Sequence, residues 1–207
     1  MRKLAWLCGL ALALSVPALA QDETPKLEAS AGYSYVRANV SASVPGVAGT
    51  SQGFNVNGGS GSVAFNLNHW LGAVADFGGY HSSPTVTNAA VGTATANATV
   101  FSYLFGPRVS WRGHGNWTPF VQALFGGAHG SLSATSGGVT VLPTTTKNVL
   151  AFTFGGGLDV KATQHIAIRV IQAEYFYTNF TASAATTGVN VPHQNNVRLS
   201  FGVVFRL

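Results

Sequence analysis

Eight charged side chains stand inside stretches of alternating apolar and polar residues, and they are the groups in this chain best placed to do chemistry. They are Glu28, Asp76, Asp159 and Glu174 against Arg108, Arg112, Arg169 and Arg198. Carboxylates and guanidiniums form strong charge-assisted hydrogen bonds. If enclosed they must pair, because an unpaired buried charge costs several kcal/mol. Two roles fit such a set. One is a static network that fills an interior; the other is a gate whose exchange of partners opens a narrow water path. Catalysis has less support. His81-Ser82 and His129-Gly130-Ser131 put an imidazole beside a hydroxyl, the start of a nucleophile and base, but no acid flanks either. No catalytic residue is assigned. No His pair has metal-ligand spacing, and Gly155 to Gly157 lacks a following helix to cradle phosphate. No metal and no cofactor is expected.

The elements that must hold these charges follow from composition. The chain has 207 residues, 46% of them hydrophobic and only 8% charged. A soluble domain usually carries about 25% charged residues, so a water-facing surface of ordinary kind is excluded. Disorder is excluded too, since 11% of the residues are aromatic. The net charge of +5 invites a nucleic-acid reading. However, Arg2 and Lys3 begin the leading segment, and the other basic residues are scattered with no stripe to follow a phosphate backbone. No nucleic-acid partner is expected.

Residues 1–20 read as a cleaved secretory signal: Arg2 and Lys3, an apolar run from Leu4 to Leu14, then Ala18-Leu19-Ala20 as a small-x-small cleavage site. The only cysteine, Cys8, lies inside it, so residues 21–207 can form no disulfide. Beyond this segment no run of 18 apolar residues exists. A membrane life therefore requires a closed barrel, the other fold that satisfies every backbone group in lipid.

Period-two alternation runs through residues 21–207, which read as a single domain. It is clearest at the end, where Val197, Leu199, Phe201, Val203, Phe205 and Leu207 oppose Asn196, Arg198, Ser200, Gly202, Val204 and Arg206. Eight strands are expected, near 27–37, 59–68, 71–81, 99–112, 118–130, 148–161, 166–177 and 196–207. Each is about 9 to 14 residues, enough to cross a bilayer at a tilt. In the seventh, Arg169 and Glu174 have opposite parity. Either a β-bulge between them turns both inward, or Arg169 lies near a rim and snorkels; the bulge is preferred.

Short links at 68–70, 113–117 and 161–165 alternate with long ones near 38–58, 82–98, 131–147 and 178–195. That is the pattern of an outer membrane barrel, with short periplasmic turns and four long extracellular loops. Trp70, Trp111 and Trp117 all fall in or beside the short turns, as a periplasmic aromatic belt would. Because the polar faces are mostly Ser, Gly, Ala, Thr and Asn, the apolar face is assigned to lipid and the small polar residues to a crowded interior.

The C-terminus, Ser200-x-Gly202-x-x-Phe205-x-Leu207, resembles the outer membrane assembly signal. Together with Phe105-Gly106-Pro107-Arg108, Pro119-Phe120, Gly155-Gly156-Gly157-Leu158-Asp159 and Arg169 to Tyr175, it makes the chain similar to the outer membrane protein A-like (OmpA-like) β-barrel family. The resemblance implies an all-β, eight-stranded antiparallel up-and-down barrel in a bacterial outer membrane. It also implies the barrel assembly machinery as a partner during insertion and outer membrane lipids as surroundings. The expected role of the monomer is structural or surface-interactive through its loops. The runner-up is a narrow pore or a path for small hydrophobic molecules, and the third is a lipid-modifying enzyme.

Overall fold

A computed structural model describes residues 24–42, 50–83, 85–88, 92–113, 115–136, 139–179 and 194–207. The expected signal segment lies outside the described residues. The strands are β1 (Leu27–Ala42), β2 (Thr50–Asn66), β3 (Leu71–Ser82), β4 (Thr85–Asn88), β5 (Gly92–Ser110), β6 (Trp117–Ser136), β7 (Val139–Lys161), β8 (Ile166–Thr178) and β9 (Gln194–Arg206). All pairings are antiparallel. Chain neighbours pair in order, β1 closes on β9, and β3 bypasses the short β4 to pair with β5. The result is a closed eight-stranded barrel, with β4 as a four-residue hairpin partner on the outer end of β5.

Alternation in sequence becomes alternation in burial: along β3, Gly72, Val74, Asp76, Gly78 and Tyr80 are buried, while Ala73, Phe77 and His81 are exposed. The exposed set on the whole barrel includes Phe65, Phe77, Phe105, Phe125, Phe154 and Phe201. A continuous apolar outer wall of this kind suits hydrocarbon and is far larger than a soluble monomer exposes.

The short turns explain themselves locally. The Asn68 Oδ1 accepts from the backbone N–H groups of Trp70 and Leu71 at 3.0 and 2.7 Å, and the Thr163 hydroxyl accepts from those of His165 and Ile166. Both are side-chain-closed turns of the type Asn and Thr favour. Inward glycines let the narrow wall bend. Gly32 and Gly202 face each other across β1 and β9. A Cβ on Gly202 would lie 2.3 Å from the Ala31 carbonyl oxygen.

The long links differ from expectation. β1 and β2 stay paired out to Ala42 and Thr50, and β6 and β7 out to Ser136 and Val139. Much of 38–58, 82–98 and 131–147 is therefore strand, while most of the fourth link, 180–193, lies outside the described residues. The physical reason is that beyond the bilayer both strand faces meet water. Alternation fades there, although Val and Thr keep their strand preference.

Candidate functional site: the barrel interior

The seventh wall strand, β8, carries the bulge that its charges require. Leu158 pairs with Ile171, but the next residue, Asp159, pairs with Arg169. The register against β9 shifts between Arg169 and Gln172. Val170 and Ile171 consequently both face outward, and Arg169 and Glu174 are both buried inside. Arg169 does not snorkel at a rim.

Two charged clusters occupy the lumen. In the first, Arg198 is fully buried and bridges two carboxylates. Its Nε donates to Glu174 at 2.6 Å, and its Nη1 donates to Asp76 at 2.8 Å and to the Tyr80 hydroxyl at 3.0 Å. Gln122 donates to the other Glu174 oxygen at 2.9 Å, while its own carbonyl accepts from Arg108 Nε at 2.9 Å. In the second, nearer the short-turn end, Glu28 lies within ion-pair distance of Arg108, Arg112 and Arg206. Arg169 grips Asp159 with two parallel bonds of 2.8 and 3.0 Å and donates to Gln172. The two parts are stapled by Phe120, whose ring lies between the Arg108 and Arg169 guanidiniums at 4.5 and 4.6 Å.

Of the eight strand charges, Glu28, Asp76, Arg108, Asp159, Arg169, Glu174 and Arg198 are buried in the lumen and Arg112 lies at its mouth, each in contact with other charged or polar groups. Residues that sequence reasoning missed are the go-betweens: Gln122, Gln172, Tyr80, Phe120 and Arg206. Inward parity placed Arg206 on the correct face, but nothing local marked it as a partner of Glu28.

Interleaved with the charges is an apolar cluster that the small-polar-interior expectation did not include. Val36, Val56, Leu104, Leu124, Ala128, Ala151 and Phe176 pack together there and are buried. A cavity bordered by Ser30, Ser60, Asp76, Arg169, Gln172 and Ser200 has about 10 Å³ of free volume, room for one water at most.

At the short-turn rim Trp70, Trp111 and Trp117 are exposed on the outer surface. Ser200 is buried, and Phe205 and Leu207 are exposed. On the opposite rim, His81 Nδ1 meets Thr99 at 3.1 Å and its Nε2 meets Ser83 at 3.0 Å. His129 Nδ1 meets Asn148 at 2.6 Å. Among the described residues neither imidazole has a carboxylate partner, and no group of three potential ligands could hold a metal ion.

A closed antiparallel barrel with an apolar outer wall and a charged, filled interior is a transmembrane barrel of the outer membrane type. The chain belongs to the outer membrane protein beta-barrel domain family, whose profile matches residues 6–205. That family places it in the bacterial outer membrane. Among solved structures it is similar to the outer membrane protein OprG from Pseudomonas aeruginosa, at 10% identity and a TM-score of 0.58 over 89% of this chain and 97% of that one. It is similar to Neisserial surface protein A at 14% identity and a TM-score of 0.54, over 88% and 97%. It is also similar to the attachment invasion locus protein of Yersinia pestis in complex with the heparin analogue sucrose octasulfate. That likeness has 17% identity and a TM-score of 0.51, over 87% and 99%. These likenesses are of fold. A search of curated protein sequences finds no match.

Proposed function

We propose that the chain is a plugged outer membrane barrel with a structural or surface-interaction role, and that it is neither a pore nor an enzyme. The observation that supports this reading is the packed lumen: buried apolar and charged side chains interleave along it, and among the described residues the cavity between Asp76 and Arg169 has room for one water at most. A porin needs an aqueous channel, whereas eight strands leave an interior that side chains just fill. Strands running well past the length a bilayer needs, up to 23 residues in β7, present an outer platform for surface contacts. The imidazoles without carboxylate partners favour a non-catalytic role. In this reading residues 1–20 are removed on export and the Ser200, Gly202, Phe205 and Leu207 signal is read by the assembly machinery. The mature monomer then sits among outer membrane lipids.

Planar-bilayer recording tests the plug. Wild type and Arg108→Ala are both expected to leave conductance at baseline, because Leu104 and Leu124 still fill the lumen. Stepwise openings in the wild type would overturn the plug, and openings only in Arg108→Ala would favour a gate.

A further inference from the structure

The periplasmic mouth of the lumen is over-supplied with positive charge. One carboxylate, Glu28, faces three guanidiniums: Arg108 Nη1 at 3.7 Å, Arg112 Nη2 at 3.3 Å and Arg206 Nε at 3.4 Å. The nearby Asp159 is held by Arg169 through two bonds. The remaining acceptors are neutral: Asn66 and the His69 carbonyl for Arg112, Thr118 for Arg206, and Gln122 for Arg108. Two buried donors, Arg108 Nη2 and Arg112 Nε, make no hydrogen bond, and Arg206 Nε meets Glu28 only as an ion pair without hydrogen-bond geometry. Lys26 and Lys161 stand exposed at the same end. Glu28 is 3% exposed and Arg108 1%, so this imbalance is held largely out of water, where uncompensated charge is costly.

We propose that the mouth is a binding site for a small soluble oxyanion, phosphate or sulfate in class, taken from the periplasmic side and held by Arg108, Arg112 and Arg206. A tetrahedral oxyanion offers several acceptor oxygens to forked guanidiniums, which a monatomic ion does not. Arg108 and Arg206 are buried in the lumen and Arg112 reaches Glu28 at its mouth, away from the lipid-facing Phe65 and Phe205, so the ligand comes from water rather than from a lipid headgroup.

The test uses the mature protein in detergent micelles, with the midpoint of heat-induced loss of the folded gel band as readout. Inorganic phosphate or sulfate, added at constant ionic strength against chloride, is expected to raise the midpoint saturably. In Arg112→Gln/Arg206→Gln the half-saturating phosphate concentration rises about tenfold or more, the worth of one charge-assisted hydrogen bond. An equal rise with chloride would reduce the effect to general screening and overturn the site. A rise with a short-chain phosphatidylglycerol but not with phosphate would overturn the soluble ligand. The chain has two further acidic residues, Asp22 and Glu23, immediately before Thr24. Phosphate binding found only in Asp22→Asn/Glu23→Gln would assign the mouth to the chain's own carboxylates and also overturn the proposal. Should the arginine variant fail to fold, phosphorus NMR on the wild type decides. Protein-dependent broadening of the phosphate signal, reversed by sulfate, supports the site, and an unbroadened signal refutes it.

Discussion

Replacing Arg198 by methionine is the sharpest probe of the interior. The side chain is fully buried and is the only cation within ion-pair distance of Asp76 or Glu174 among the described residues. Arg198→Met removes charge-assisted bonds to both, each worth about 1.5–3 kcal/mol, and strands two carboxylates in a dry lumen. Breaking a buried ion pair from one side costs about 3–5 kcal/mol, and that is the expected loss. With a urea dependence of about 2 kcal/mol per molar, the unfolding midpoint falls by about 2 M. Tryptophan fluorescence reports the transition, since Trp70, Trp111 and Trp117 leave the membrane rim together on unfolding. Neutralising the whole cluster should undo most of the damage, because a buried ionic group replaced as a unit is often close to neutral in stability. The triple variant Arg198→Met/Asp76→Asn/Glu174→Gln is therefore expected to regain more than half of the loss. A single variant within about 1 kcal/mol of wild type, or a triple variant no better than the single, would refute the pairing argument.

Three further outcomes follow from the wall. Phe154→Arg puts a cation on the lipid face and should cost about 2–4 kcal/mol if it lies near the midplane, read as a reduced folded fraction in membranes; undiminished yield would reverse the facing assignment. Deleting Val170 removes the extra residue of the bulge and forces Arg169 or Glu174 outward, so the heat-modifiable band should be lost, and its survival would show that the bulge is dispensable. Gly202→Val drives a side chain into the Ala31 carbonyl, 2.3 Å from its first carbon. It should lower the heat-unfolding midpoint, whereas Ser200→Ala at the same wall should change it little.

How much was legible in the sequence differs from element to element. The C-terminal alternation from Asn196 to Leu207 assigned each side chain to a face, and the opposed parity of Arg169 and Glu174 pointed to the bulge. Inside the bilayer this works because lipid punishes every misplaced polar group. Outside it, where β6 and β7 continue to Ser136 and Val139, no such penalty exists and the same residues read as loop. The apolar cluster was hidden for a related reason. Leu104, Leu124 and Phe176 occupy inward positions, and only a closed, dry interior makes apolar residues welcome on both sides of one wall.

The sequence by itself determined that the chain is a barrel, which residues face inward, and that the inward charges nearly balance. Those follow from local physics, period two against a single apolar solvent, and need no knowledge of which strand stands opposite which. Partner choice was decided only by the tertiary structure. Arg198 meets Asp76 across 122 positions of sequence, Arg112 meets Glu28 across 84, and Phe120 slips between two guanidiniums from different strands. Each of those meetings is set by the closure of β1 on β9 and by strand stagger. Closure and stagger belong to the whole ring of strands, and no local window of sequence contains them.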